Sequence, residues 1–169
     1  NLTNTEQLSR RLEEEGAIFQ TSMDSEIIVH LLARKKETDI KEWFINVLSQ
    51  LEGAFSLVFL LGGTIVGARD RQGFRPLCLG RLGEGYVLAS ETCALDLVRA
   101  QFIREIKPGE IVFIKDGQIE SCFLPMDPLK NKSYCIFENI YFARPDSNIF
   151  DDNVYDVRKR LGAQLAREH

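Results

Sequence analysis

The chain has 169 residues, 44% of them hydrophobic and 27% charged, enough for one domain with a proper core and too few for two full ones. That balance excludes a disordered chain, and a net charge of −4 gives no electrostatic basis for binding nucleic acid. The longest apolar run, Ala54 to Leu61, is too short to span a bilayer, so no membrane partner is expected.

Taken in order, Thr3-Asn4-Thr5-Glu6 fits a capping box, and Leu8 and Leu12 form the stripe of a short helix ending at Gly16. Ala17 to Gln20 reads as a short strand. A polar knot follows, Thr21-Ser22-Met23-Asp24-Ser25-Glu26, and then Ile27, Ile28, Leu31 and Leu32 mark an amphipathic helix to about Arg34. Asp24 stands at or beside the N-cap of that helix. Two readings are open for it: a carboxylate that caps the helix, or one presented at a cleft to hold a ligand's ammonium group. Arg34 to Thr38 is a charged connector. The next helix starts at Asp39, and its Ile40, Trp43, Phe44, Val47, Leu48 and Leu51 form one core-facing stripe, with Gly53 as its stop.

From Ala54 the pattern changes to short β runs separated by turn signals. The spacing predicts strands over Ala54 to Leu61, Thr64 to Ala68, Leu77 to Leu79, Tyr86 to Ala89, Phe102 to Ile106, Ile111 to Lys115 and Gln118 to Phe123. Asp116-Gly117 marks a tight hairpin. One helix interrupts them, with Ser90 as its N-cap and running through Leu95 and Val98. Helices with antiparallel strands in a continuous meander predict an α+β layered domain. Pro125 to Lys132 is a polar crossing. Tyr134 to Phe142 is an aromatic run that periodicity leaves open between strand and helix. Arg144-Pro145-Asp146-Ser147 breaks the chain, and Val154, Val157, Leu161 and Leu165 predict a last helix. A domain boundary is expected between Pro125 and Asp152.

Four cysteines, Cys78, Cys93, Cys122 and Cys135, include no Cys-x-x-Cys pair, and there are two histidines. Free thiols in a reducing compartment are therefore expected, with neither a zinc site nor a disulfide framework. No basic-then-apolar leader opens the chain, so a cytoplasmic protein is expected. Both ends read as cuts in a longer chain, since the first residues fall on a capping signal and the last helix has no stop.

No Ser/His/Asp set, P-loop or Gly-x-Gly-x-x-Gly is present, and local patterns go no further. Longer motifs do. Asn1-Leu2-Thr3-Asn4, Thr21-Ser22-Met23-Asp24-Ser25-Glu26, Arg69-Asp70-Arg71-Gln72-Gly73-Phe74-Arg75-Pro76-Leu77, Ala89-Ser90-Glu91-Thr92 and Lys107-Pro108-Gly109-Glu110 occur in this order. The run Cys135-Ile136-Phe137-Glu138-Asn139-Ile140-Tyr141-Phe142-Ala143-Arg144-Pro145-Asp146-Ser147 completes the series. Together, over essentially the whole chain, they resemble the class II glutaminase domain of the amidophosphoribosyltransferases (glutamine phosphoribosylpyrophosphate amidotransferases).

The resemblance implies an N-terminal-nucleophile (Ntn) hydrolase fold, an αββα sandwich of two antiparallel sheets between helical layers, incomplete at its N-terminus. It implies a division into residues 1–133 as the C-terminal part of the glutaminase domain, 134–152 as an interdomain crossing and 153–169 as the first helix of a phosphoribosyltransferase domain. The implied reaction hydrolyses glutamine and transfers its ammonia to phosphoribosylpyrophosphate. The products are 5-phosphoribosylamine, glutamate and pyrophosphate, in the first committed step of purine synthesis. In the family an N-terminal cysteine attacks the amide and an Asn-Gly pair forms the oxyanion hole; both precede the position matching Asn1, so the chain alone is expected to be inactive.

Asp24 falls on the family's carboxylate for the glutamine α-amino group and is the implied substrate-binding residue. Cys135 falls on an iron–sulfur ligand of some members, with the alternative that it is a packing residue; a 4Fe-4S cluster is thus one implied cofactor. Mg2+ is the other, serving the phosphoribosyltransferase half outside this chain. Partners implied are glutamine, phosphoribosylpyrophosphate and further copies in a homo-oligomer. Met23 and Arg71 depart from the family's usual Ser and Pro, and both read as drift. Arg75 reads as a guanidinium pinning its turn, and Arg144-Pro145-Asp146-Ser147 as a candidate interdomain or channel segment. Alternatives to this reading are a non-catalytic Ntn-like module binding a small molecule or partner, and another class II amidotransferase.

Overall fold

The order of elements follows the hydrophobic pattern closely, and a computed structural model describes it over residues 1–34, 37–125 and 132–169. Three helices come first: α1 (Thr5–Glu14), α2 (Asp24–Arg34) and α3 (Ile40–Leu48). Seven strands follow, interrupted by one helix: β1 (Ser56–Leu61), β2 (Thr64–Arg69), β3 (Cys78–Leu82), β4 (Gly85–Ala89), α4 (Thr92–Leu97), β5 (Gln101–Glu105), β6 (Glu110–Lys115) and β7 (Gln118–Phe123). Beyond them lie a π-helical turn (Glu138–Phe142), a short hairpin of β8 (Asn148–Ile149) and β9 (Asp152–Asn153), and α5 (Val154–Glu168). The expected charged connector at Lys35-Lys36 and the crossing at 126–131 lie outside the described residues.

The strands form two antiparallel sheets, ordered β1-β2-β6-β7 and β4-β3-β5. A continuous meander is therefore not what forms. After β2 the chain leaves to build the second sheet and returns with β6 beside β2, a long-range pairing that no local pattern announces. In β6, alternate side chains serve opposite cores, as a period of two requires. Ile111 and Phe113 face the helices with Val66 and Ala68, while Val112 and Ile114 join Leu77, Leu79 and Ile106 between the sheets. Gly67 permits the sheets to approach, since a Cβ there would lie 2.7 Å from the Leu88 side chain.

The helical layer over the first sheet is filled as its stripes predict. Leu8 and Leu12 of α1, Ile27, Ile28 and Leu31 of α2, and Phe44, Val47 and Leu48 of α3 form one cluster with the sheet. Phe44 meets Trp43, Phe59 and Phe113 edge-on. On the far side of the second sheet, Leu95 of α4 packs with Cys78 and Ala100. The order of layers is helix, sheet, sheet, helix.

Four local expectations change. Ala17 to Gln20 forms no strand, because the Glu26 carboxylate takes the backbone N–H groups of Gln20 (2.7 Å) and Thr21 (2.8 Å). Those bonds, led by the one from the Thr21 hydroxyl, hold Glu26 below the usual carboxylate range. The capping box at Thr3 does not form either. Asn4 stands at the N-cap, and its amide instead reaches Gln50 O (2.8 Å) and Glu52 N (3.1 Å), tying the start of α1 to the end of α3. Gly53 is not the stop of α3, which ends at Leu48; it sits at φ +112° in a bridge to Leu2, where a Cβ would be 2.6 Å from Asn1 O. Finally, Glu91 rather than Ser90 is the N-cap of α4.

The aromatic run resolves as helical, closing through Ala143 N to Glu138 O at 3.0 Å. In the hairpin after it, Phe150 and Asp151 are both left-handed, at φ 56° and 66°, an arrangement usual for Asn or Gly and strained for Phe. Three contacts hold it: Tyr134 stacked at 4.2 Å, the Arg69 guanidinium 5.7 Å from the ring, and Phe150 N donating to Glu105 Oε1 at 2.7 Å. No described helix is long and apolar enough to cross a membrane.

Candidate functional site

A cleft of about 720 Å³ opens where the start of α2, the lead into β1, the Arg75-Pro76 turn, the N-cap of α4 and the π-helical turn converge. Asp24, the first residue of α2, lies on its wall beside Ser22, Met23 and Ser25. Its carboxylate accepts the Leu2 N–H at 2.8 Å rather than an N–H of its own helix. The capping reading is therefore corrected: Asp24 reaches across to the chain's first strand-like segment, at the edge of the cleft.

The turn after β2 is organised by two buried charged residues. Asp70, 0% exposed, accepts Gln72 N and Gly73 N on Oδ1 at 2.9 and 2.8 Å, and Phe74 N and Phe55 N on Oδ2 at 3.2 and 3.3 Å. Arg69 donates to the carbonyls of Arg75 (2.8 Å), Ile106 (2.6 Å) and Gly73 (2.9 Å). Arg69, not Arg75, is thus the guanidinium that pins this turn. With the turn fixed from below, the Arg75 side chain is delivered to the cleft. Its Nε lies 2.8 Å from Glu138 Oε1, as an ion pair out of line for a hydrogen bond, and its Cζ lies 4.4 Å from the centre of the Phe142 ring.

Arg71 is not drift in any structural sense. Its guanidinium donates to the carbonyls of Pro125 (2.9 Å), Ser49 (3.1 Å) and Leu51 (3.3 Å), closing the carbonyl end of α3 against the exit of β7. The exposed Met23 contributes a flexible apolar wall to the cleft.

Three carboxylates line the cleft: Asp24, Glu91 and Glu138. Glu138 is 2% exposed. Burial pushes its carboxyl above the ordinary range and Glu91 adds to this, with Arg75 pulling the other way. Glu91 binds the segment behind the cleft, accepting Arg144 N at 2.8 Å and the Ser147 hydroxyl at 2.9 Å. Thr92 Oγ1 accepts Asn148 N at 2.9 Å beside it. The Arg144 side chain turns to the surface and pairs with Asp146 at 3.0 Å. Sequence reasoning missed Glu91 and Glu138 as site residues. Both lie in the longer motifs, but no spacing rule brings positions 91 and 138 together.

Cys135 is half-buried, with its N–H donating to Phe74 O at 3.1 Å. Among the described residues no group of three or more His, Cys, Asp or Glu is placed to hold a metal. A 4Fe-4S cluster needs four thiolates, and Cys78 is buried in the second sheet and Cys93 within α4. The residues present do not make a cluster site.

Antiparallel sheets face to face between helical layers, with a polar cleft at one end, define the Ntn-hydrolase sandwich. A family profile described as "Glutamine amidotransferase domain" matches residues 1–97, and the chain belongs to that family. It is 45% identical over 168 residues to the amidophosphoribosyltransferase of Bacillus subtilis and 42% identical over 170 residues to that of Archaeoglobus fulgidus. These matches take in 99% of this chain but 35% and 37% of those proteins. A solved B. subtilis glutamine phosphoribosylpyrophosphate amidotransferase, complexed with ADP and GMP, matches with a TM-score of 0.94 at 44% identity. That match covers 100% of this chain and 37% of the other. The chain spans about a third of the length of these relatives.

Proposed function

We propose that these residues are the glutaminase part of an amidophosphoribosyltransferase, and that Asp24 holds the α-ammonium group of glutamine in the cleft. The observation that carries this is the position of Asp24: a carboxylate on the cleft wall, fixed by one backbone N–H, in a chain whose family acts on glutamine. A carboxylate already oriented by an N–H offers its remaining lone pairs to an ammonium as charge-assisted bonds. The parent enzyme then hydrolyses glutamine and passes ammonia to phosphoribosylpyrophosphate, giving 5-phosphoribosylamine, glutamate and pyrophosphate.

On this reading residues 1–133 belong to the glutaminase domain, 134–152 cross between domains, and 153–169 open the phosphoribosyltransferase domain. The cysteine nucleophile and the oxyanion Asn-Gly pair come from parent sequence outside these residues, as does the Mg2+ site for phosphoribosylpyrophosphate. The parent is cytoplasmic and homo-oligomeric. Arg144-Pro145-Asp146-Ser147 lies on the path between the two halves.

Two assays test the proposal. The 169-residue chain should release no glutamate from glutamine above background. In the full-length enzyme, Asp24→Asn should raise KM for glutamine and leave ammonia-driven synthesis in place. Turnover by the isolated chain contradicts the first part, and an equal fall in both activities contradicts the second.

A further inference from the structure

Glu138 and Phe142, the two ends of the π-helical turn, line the same cleft as Asp24, and that turn is gripped from two sides. On the cleft side Arg75 holds it, through the Glu138 carboxylate at 2.8 Å and the Phe142 ring at 4.4 Å. On the outer side a residue of α5 holds it. Arg158 Nε donates to Asn139 O at 2.7 Å and its Nη2 to Ala143 O at 2.9 Å. A single π-helical turn has few backbone bonds of its own, and these carbonyls are of the kind a helix end leaves without an internal partner. A guanidinium fork supplies two donors at fixed separation, which a carbonyl pair on one turn can use together.

The brace is itself anchored. Val154, at the start of α5, is buried with Ala143 and Ile149. Val154 N and Tyr155 N donate to Ser147 O at 3.0 Å and Pro145 O at 3.1 Å. Arg158 is therefore delivered from a fixed first turn, one helical turn along from Val154 on the same face. It lines no part of the cleft.

We propose that Arg158 is a positioning residue for the glutamine site: by bracing the π-helical turn from outside, it sets where Glu138 and Phe142 stand relative to Asp24. The proposal rests on the glutaminase reading above. It makes the opening helix of the next domain a structural part of the glutamine cleft, acting through the turn and not through contact with the ligand.

The test is steady-state kinetics on the full-length enzyme with glutamine and, separately, with ammonium salt as nitrogen source. Loss of two charge-assisted bonds in Arg158→Ala should raise KM for glutamine about tenfold, with kcat changing far less and ammonia-driven synthesis serving as the internal control. Arg158→Lys, which reaches one carbonyl and keeps the charge, should recover most of that loss. Arg75→Ala should raise the same KM. Because both residues hold one turn, the double variant should show clearly less than the product of the two single effects.

Three results would overturn the proposal: an unmoved KM in Arg158→Ala, strictly multiplicative effects in the double variant, or glutamine and ammonia activities falling together. A wild-type enzyme without any glutaminase activity would instead overturn the functional reading beneath it, before any variant is made.

Discussion

The α1–α3 layer and the stretch from 132 to 169 are held in place by different physics. The first is sealed by apolar burial: Phe44, Val47, Leu48 and Leu12 are all but inaccessible, and they pack on Val66 and Phe113 of the sheet. The second is attached by polar contacts, chiefly its backbone N–H groups donating to acceptors on the rest of the chain. Glu91 takes Arg144 N, Thr92 takes Asn148 N and Glu105 takes Phe150 N, while Ser133 N and Cys135 N donate to Gln72 O and Phe74 O. Apart from the small cluster of Ala143, Ile149 and Val154, many of its apolar side chains face outward, with Phe137, Ile140, Tyr141, Leu161 and Leu165 each roughly half exposed or more. A surface of that composition is one that becomes covered; on the proposed reading the remainder of the parent enzyme covers it. The cleft lies on the seam between these two parts.

The sharpest way to break this contrast is to truncate an aromatic on each side of it. Phe44→Ala should cost about 3–5 kcal/mol, the range for a fully buried Phe, whereas Phe142→Ala should cost about 1 kcal/mol or less. Urea denaturation of both variants reads the difference, and comparable losses would dissolve the contrast. A smaller effect is expected from Arg71→Ala. Removing its bonds to Ser49, Leu51 and Pro125 should lower stability by about 1 kcal/mol, as for a partly exposed charged donor. An unchanged urea midpoint would return this arginine to the status of drift.

The smallest effect sets a carboxylate of the packed sheet, on β6, against one of the 132–169 stretch by pH. Burial alone would raise the Glu110 carboxyl, but hydrogen bonds from Arg104 and Lys107 N outweigh it and hold Glu110 below the ordinary 4.5. Its contribution is present above pH 4.5 and is lost as pH falls through the lower folded value. Glu138 has the opposite sign. Its folded value lies above 4.5 because it is buried, so its contribution is present below pH 4.5 and is lost as pH rises through the folded value. Thermal melts across pH 3 to 7 should therefore show Glu110→Gln losing the gain that wild type shows as pH rises toward 4.5. Glu138→Gln should instead be spared a loss that wild type suffers above it. Parallel curves for both variants would refute the assignment.

Much of this architecture was legible in the residues. Six of the seven strands of the two sheets fall within two residues of where alternation and turn signals put them, and β3 runs three residues past its expected end at Leu79, because each is bounded by Gly, Pro or Asp. The α3 stripe of Trp43, Phe44, Val47 and Leu48 is core as its spacing predicts. What local pattern could not give is which strands pair, since β2 finds β6 some forty positions on. The same holds for polar contacts between distant segments. Glu26 displacing a strand, Arg69 taking the part expected of Arg75, and Arg71 capping α3 all depend on side chains meeting partners fixed by the finished fold. At the cleft, Asp24 was legible only through the longer motifs, and Glu91 and Glu138 were not. Their meeting is a product of the segment after the π-helical turn docking on the N-cap of α4, through Arg144 N and the Ser147 hydroxyl.

The central claim is that Asp24 is a ligand-holding carboxylate on the wall of a glutamine cleft, and one comparison tests it most directly. In the full-length enzyme, KM for glutamine and the rate with ammonium salt should be measured for wild type and for Asp24→Asn. Loss of a charge-assisted contact should raise KM for glutamine about tenfold to a hundredfold, with ammonia-driven synthesis within about twofold of wild type. An Asp24→Asn enzyme that binds glutamine as wild type does, or that loses both activities to the same degree, would contradict the account.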